Sequence, residues 1–507
     1  MSSSIDTLAQ KKADTRGMAG RLALGIFLSA LGGVMLLLSF PPYGLWPLIW
    51  VGFVPLVFAQ YRLMPFKWSS LAPALANLLW LGPFLARLFG TGYGIFFTYM
   101  GVWIAILTLL ISKDRDFHET TRFRWLVLSG AVSFVGFEMI RATFIPMVAT
   151  SAFVGYTLAT QAWLIQPVSV FSVYGLDLVI LVVNYSVALA VISLFDRRWK
   201  LADAAPVEGR MARNWLAIAG IVLAAWSAFS LVLANRAGES QTVRVAALRP
   251  GFPLPAFQDE VNTAEVRMQT FVEQAREASL QGAQILYTPE MMFNFDPQVE
   301  FTEQFQSVAK ETGAHIFITY TVVQEGEPWR NEAVLLTPEG VILEVYGKNH
   351  AFGEPPAAMR GVFPVYSTPL GRLATLICHD ANYTDVARRL AGNGAQLVAA
   401  PFREFGGFGE QAWTNVLFRA VENRTAMVLT GVATVSAIIN PDGSLVALDL
   451  DPQGSRATLV GEVALGSGRA LYTSLGDVLG WVSLAGFIIF IGFQSVTQRR
   501  AKKSKPT

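Results

Sequence analysis

The chain has 507 residues, of which 53% are hydrophobic and only 15% charged, where a soluble globular domain carries roughly 25% charged residues. That balance excludes an ordinary string of soluble domains and intrinsic disorder alike, and places much of the chain in a membrane. A net charge of +2 is too small to call for nucleic acid, and a single Cys excludes an internal disulfide.

In chain order, apolar runs near the ~20 residues that cross a bilayer fall at roughly 22–40, 44–60, 71–89, 93–112, 125–144, 168–195 and 215–234, with an eighth at 475–494. Pro73, Pro83 and Arg87 interrupt the third. The first run lacks a small-residue cleavage site and is followed at once by another, so it reads as a span and not as a removable leader. Lys11, Lys12, Arg16 and Arg21 place the N-terminus on the cytoplasmic side, because Lys and Arg in short connections stay inside. The basic connections 61–70, 113–124 and 196–214, and a tail carrying Arg499, Arg500, Lys502, Lys503 and Lys505, agree with eight alternating spans. The expected organisation is a membrane domain over 1–234 with about seven helices, an extracytoplasmic domain over 235–474, and a last span with a basic cytoplasmic tail over 475–507. The uncharged connection 145–167 falls on the outer face with the second domain.

From Gln241 the texture becomes α/β: TVRVAAL, EVRMQTFVEQAREASL, AQILYTPE, EQFQSVAKETG and AHIFITYTVV alternate strand and helix periods. NEAVLLTP, GVILEVYG, RLATLICHD, AQLVAAP, AMVLTGVATVSAIINPDG and ATLVGEV add strands, with Pro441-Asp442-Gly443 as a turn. The segment contains no phosphate-binding Gly-rich loop and no paired Cys/His spacing, so neither a nucleotide nor a metal has local support.

Polar residues at the ends of these strands carry the chemistry. Cys378 closes RLATLI and is followed by His379 and Asp380, at what reads as the start of a helix. Glu290 ends AQILYTP, Lys348 follows VILEVYG, and Glu354 lies six residues further on. A thiol, a carboxylate and an ammonium from three strand ends suit a nucleophile, a general base and an oxyanion stabiliser for acyl transfer. The same residues also read as a buried thiol, a turn cap and a solvated turn lysine, and composition and spacing do not decide between the two.

The motifs themselves resemble a known family, the apolipoprotein N-acyltransferases, whose outer domain is of the nitrilase (carbon–nitrogen hydrolase) type. The likeness runs through LSFPPYGLWPLIWVGFVPLV at 38–57, FEMIR at 137–141, QPVSVFSVYGLDLVILVVN at 166–184, TPE at 288–290, YGKNHAFGE at 346–354, LICHD at 376–380, FRAVENR at 418–424 and INPDG at 439–443. The resemblance implies a membrane α-helical bundle plus a nitrilase-like αββα sandwich. It implies a catalytic triad of Glu290, Lys348 and Cys378, with Glu354 as an accessory carboxylate and the N–H of His379 as an oxyanion donor. The implied reaction is ping-pong: an acyl chain moves from a phospholipid, typically phosphatidylethanolamine, to a Cys378 thioester and on to the α-amino group of a diacylglyceryl-cysteine at a lipoprotein N-terminus. No cofactor or metal is implied, and the implied location is the bacterial cytoplasmic membrane, with catalysis on the outer face. Because both substrates are lipids, the connections 145–167, 351–364 and 401–413 are expected to form a lipid-facing mouth.

Four stretches depart from the family pattern. KNHAFGE is two residues shorter than usual, His379-Asp380 stands where Tyr-Glu is common, APFREFGGFG at 400–409 replaces a Ser-Asn-Asp-Ala-Trp-Phe stretch, and IPMVATSAF at 145–153 lacks a Trp. They leave two other readings open: a membrane-anchored hydrolase in which water resolves the thioester, and a degenerate homologue that binds lipoproteins without catalysis.

Overall fold

The computed structural model describes residues 2–111, 114–145, 149–199, 205–235, 240–252, 262–352, 354–356, 359–403, 407–432, 435–451 and 455–503. The chain forms two compact units, one made of Met1–Phe137, Asp177–Ala225 and Gly480–Thr507, the other of Glu138–Leu176 and Trp226–Leu479.

Among the described residues six helices are long and apolar enough to cross a membrane: Met18–Ser39, Phe66–Ala86, Leu126–Phe144, Val168–Trp199, Gly209–Ala234 and Val478–Thr497. That is roughly consistent with the eight spans expected from the sequence, and two of the expected runs take another form. The run 44–60 is not one helix. It breaks into a 3₁₀ turn at Trp46–Trp50, a short helix at Val54–Phe58 and a π-helical turn at Ala59–Leu63, because Pro47 and Pro55 lack the N–H a continuing helix needs. The runs 71–89 and 93–112 continue as a single helix, Leu71–Ile111, with Pro83 inside it. Part of the run 93–112, including residue 112 and several side chains, lies outside the described residues.

The broken segment survives in apolar surroundings because a side chain completes its backbone. The Phe53 N–H donates to Oδ1 of Asn184 at 3.0 Å, and Nδ2 of Asn184 donates to the carbonyl oxygens of Ile49 at 2.8 Å and Ile180 at 2.9 Å. Asn184 is fully buried, so no water substitutes for it. Asn184→Ala is expected to cost roughly 1–3 kcal/mol, the penalty for orphaning buried polar groups, read as a lower unfolding temperature in detergent. An unchanged unfolding temperature would mean that the segment finds other partners. Close helix crossings in the same unit rest on small residues: a Cβ on Gly33 would lie 2.5 Å from the carbonyl oxygen of Ala76.

The second unit is an αββα sandwich. One sheet takes β1 (Thr242–Arg249), β2 (Ile285–Tyr287), β3 (His315–Val322), β4 (Arg330–Leu336) and β5 (Tyr346–Gly347), the other β6 (Tyr366–Thr368), β7 (Gly371–Thr375), β8 (Leu397–Arg403), β9 (Ala426–Val432), β10 (Ser436–Ile439) and β11 (Leu445–Asp449). The last strand, β12 (Ala457–Ala464), returns to the first sheet, giving the orders β12-β1-β2-β3-β4-β5 and β11-β10-β9-β8-β7-β6. Alternation along each strand sorts the side chains between layers. Val243, Val245, Ala247, Ile285, Tyr287 and Phe317 meet Leu373, Leu397, Ala399 and Val428 between the sheets. Ala246, Leu248, Leu286, Ile316 and Ile318 pack with Phe271, Ala275 and Phe305 of the outer helices Ala264–Leu280 and Thr302–Thr312.

β1-β2-β3 and β7-β8-β9 are the parallel runs of the two sheets. Ligand sites of α/β sheets lie beyond the C-terminal ends of such strands, and that is where β2, β7 and β8 deliver Glu290, Cys378 and Arg403.

Candidate active site

Lys348 is the hub of the site. It follows β5, held by its own N–H to the carbonyl oxygen of Asn331 at 3.0 Å, and is 4% exposed. Its Nζ lies 3.0 Å from Oε1 of Glu290 and 2.5 Å from Oε1 of Glu354. Nδ2 of Asn331, at the start of β4, donates to the same Glu290 oxygen at 2.8 Å. Burial pushes the Lys348 ammonium towards its neutral form, but Glu290, Cys378 and Glu354 together hold its pKa well above the ordinary 10.5. Burial likewise raises the Glu354 carboxyl, and the Lys348 ammonium with the N–H of Phe352 more than reverses this, leaving it below its ordinary 4.5. An ion pair inside a protein keeps its strength only where both charges are held and hydrogen-bonded, and here the carboxylates grip the ammonium from two sides.

Cys378 is reached by a sharp turn. Its backbone is left-handed, with φ +50°, a conformation that costs a residue bearing a Cβ on the order of 1–2 kcal/mol and persists at functional sites when the surroundings enforce it. Asp380 supplies that enforcement. Its buried carboxylate accepts from the Tyr346 hydroxyl at 2.6 Å and from the N–H groups of Ile377 at 3.0 Å, Asn349 at 3.1 Å and His350 at 2.7 Å. One side chain therefore ties the turn that carries Cys378 to the loop that carries Lys348. Burial pushes its pKa up to about 6, with the Tyr346 hydroxyl and the N–H groups pulling the other way.

Residues 378–382 form a 3₁₀ turn of five residues, and the longer helix begins only at Asp385. The helix expected near Cys378 thus begins after a turn, because the Asp380 carboxylate caps the Ile377 N–H and the left-handed Cys378 blocks an immediate regular start. Nδ1 of His379 pairs with Nδ2 of Asn382 at 2.9 Å, and the Asn382 carbonyl oxygen accepts from both the N–H and the hydroxyl of Thr150, at 3.2 and 2.6 Å. Residues 149–159 of the expected lipid-facing connection are buried, with Thr150 bonded to the turn that carries Cys378. Residues 146–148, 353, 357–358 and 404–406 of the three expected mouth connections lie outside the described residues.

The structure thus brings Glu290, Lys348, Glu354 and Cys378 together, with Asp380 and His379 in the turn beneath. Asn331, Tyr346 and Arg403 join them without having been singled out in the sequence. Tyr346 stands inside YGKNHAFGE and Arg403 inside the divergent APFREFGGFG, whereas Asn331 has no signal beyond a polar residue opening an apolar strand. Among the described residues no three His, Cys, Asp or Glu side chains gather to hold a metal. His350 stacks on Tyr383 at 3.7 Å and meets Asp385 at 2.8 Å.

The Lys348–Glu354 pair makes a prediction with a definite sign. Glu354 titrates lower in the folded chain than its ordinary 4.5, so its contribution is complete above the unfolded pKa and disappears as pH falls through the folded one. Unfolding temperatures of wild type and Glu354→Gln are expected to differ by a constant amount well above the ordinary 4.5 and to converge as pH falls through the lower folded pKa. A difference independent of pH would assign the effect of the substitution to packing.

Comparison with known proteins adds two family matches, to carbon-nitrogen hydrolase over residues 242–472 and to the apolipoprotein N-acyltransferase N-terminal domain over residues 32–186. An apolipoprotein N-acyltransferase of Geobacter metallireducens is 26% identical over 90% of this chain and 93% of its own length. A nitrilase of Pyrococcus abyssi is 28% identical over 30% of this chain and 63% of its own. An omega-amidase of Homo sapiens is 26% identical over 34% of this chain and 74% of its own. Among solved structures, an amidase from Nesterenkonia sp. superposes with a TM-score of 0.38 at 23% identity, covering 45% of this chain and 93% of that one.

Proposed function

We propose, for a chain that belongs to the apolipoprotein N-acyltransferase family within the carbon–nitrogen hydrolases, that Cys378 carries an acyl group from a phospholipid to the amino terminus of a lipoprotein as a thioester. The chain is a multi-pass membrane acyltransferase; the residues, the two half-reactions and the substrates are our reading. The observation that carries it is the Lys348 ammonium clamped between Glu290 and Glu354 and acted on by Cys378.

In the first half-reaction Glu290 takes the thiol proton of Cys378, and the thiolate attacks the ester carbonyl carbon of the donor, taken as phosphatidylethanolamine. Lys348 and the N–H of His379 hold the negative oxygen of the tetrahedral intermediate. Collapse breaks the ester C–O bond, the leaving lyso-phospholipid oxygen takes the proton from Glu290, and a thioester remains. In the second, the α-amino group of a diacylglyceryl-cysteine attacks the thioester, Glu290 accepts its proton, and the departing Cys378 sulfur takes that proton back. The product amide and the resting thiol are restored with no cofactor consumed.

The substrates suit a chain whose apolar helices, six among the described residues, keep it where lipids are. Five of these helices precede the αββα unit's main segment and one follows it. We read catalysis on the outer face of the cytoplasmic membrane and both termini in the cytoplasm, a reading supported by the Lys and Arg of the N-terminal segment and of the C-terminal tail. The match of residues 32–186 to the N-terminal domain of the acyltransferases favours this over hydrolysis by water.

The test is intact mass spectrometry of the purified protein with phosphatidylethanolamine. Because the chain has one Cys, a single acyl increment removed by neutral hydroxylamine reports a thioester at Cys378. Transfer of that increment to a diacylglyceryl-cysteine peptide is expected. An increment lost only to water would make the protein a hydrolase, and no increment would refute the reading.

A further inference from the structure

We infer that Arg403 is the second cation of this site, placed to hold the negative charge that develops on Cys378 and on the oxygen of the tetrahedral intermediate. The inference rests on Cys378 being the nucleophile. β7 and β8 run parallel with Thr375 opposite Ala399, so Cys378, three residues past that pair, and Arg403, four past it, emerge from neighbouring strands at the same edge. Arg403 is 9% exposed. Its Nη1 lies 3.1 Å from Sδ of Met291, the residue after Glu290, which brings the guanidinium to the other side of the cluster. The three acids that act on Lys348, namely Glu290, Cys378 and Glu354, act on Arg403 as well. Burial lowers the Arg403 pKa and those acids oppose it, while a guanidinium stays charged throughout the working range of an enzyme.

Charge counting shows why a second cation matters. Glu290 and Glu354 face a single ammonium, Lys348, and Asp380 beneath the turn is engaged by Tyr346 and backbone N–H groups. With Lys348 alone the buried site is at least one positive charge short. When the thiol proton passes to Glu290, the total does not change but the negative charge moves to sulfur and then to the ester oxygen. A buried negative charge without a counter-charge is strongly disfavoured, and Arg403 supplies one. His379, in the same turn, has its Nδ1 engaged with Asn382.

Arg403 also sits where this sequence leaves the family pattern, in APFREFGGFG, which makes it a feature of this chain. Its test needs a readout that packing alone would not move. The full-length protein in detergent is alkylated with iodoacetamide across pH and followed by intact mass, where the lone Cys makes each adduct unambiguous. Arg403→Gln is expected to move the alkylation profile to higher pH by about one unit, the size an opposite charge a few ångströms away produces, and to slow acyl-adduct formation about tenfold at neutral pH. Arg403→Lys, which keeps the charge, is expected to stay near the wild-type profile. Identical profiles for wild type and Arg403→Gln, or equal displacement by Gln and Lys, would overturn the inference. The transferase reading stands or falls separately, on whether wild-type Cys378 takes up and passes on the acyl group.

Discussion

Replacing Cys378 by serine is expected to abolish acyl transfer, with a loss on the order of 10⁴ or more in rate, while leaving the protein folded. The substitution exchanges sulfur for oxygen at a residue 4% exposed and keeps the left-handed backbone at φ +50°. A near-isosteric change of this kind costs little stability, about 1 kcal/mol or less. The chemistry is what fails. A carboxylate base removes a proton from a thiol far more readily than from a serine hydroxyl, and an oxygen ester at position 378 would be a poorer donor to an amine than a thioester. Two measurements check this on the same preparation: the unfolding temperature, expected to stay within a few degrees of wild type, and the acyl increment by intact mass, expected to vanish. A serine variant that still forms N-acylated peptide would remove Cys378 from the reaction.

Lys348→Met is expected to damage both folding and rate, and the two losses can be separated. Lys348 is the shared partner of two buried carboxylates at 3.0 and 2.5 Å. Removing it takes away the ammonium that both Glu290 and Glu354 contact, a change of the kind that costs about 3–5 kcal/mol. It also removes a donor from the forming oxyanion, a loss worth about 10² to 10³ in rate. In the double variant Lys348→Met/Glu354→Gln one of the stranded charges is gone, so much of the stability is expected to return. The rate is not, because the ammonium is still missing. If the double variant regained activity along with stability, Lys348 would be a structural ion-pair partner and nothing more.

The candidate site was legible in the sequence to the extent that chemistry falls at strand ends. Glu290, Lys348 and Cys378 each close an apolar run, and such positions project into the crevice of an α/β sheet. The α/β texture followed from the same alternation, and the αββα layering from the family resemblance alone. What the linear pattern does not contain is partnership across elements. Asn331 looks like an ordinary polar residue until β2, β3 and β4 pair and bring it to Glu290. Asp380 reads as a shortened replacement for Glu, whereas in the fold it knots the nucleophile turn to the Lys348 loop. The run 44–60 passes every hydropathy test for a span, yet Pro47 and Pro55 break it and a distant amide makes the break tolerable. Hydropathy weighs side chains and does not ask where each backbone N–H finds its acceptor.

That amide also sets an order of events. Asn184 lies 131 residues after Phe53 in the chain, so synthesis delivers the broken segment well before the side chain that completes it. Until the helix Val168–Trp199 is in place, the Phe53 N–H and the Ile49 carbonyl have only water to bond, and the hydrocarbon interior holds none. The segment is therefore expected to wait at the wet boundary of the bilayer until that later helix arrives, so that at this point assembly runs backwards along the chain.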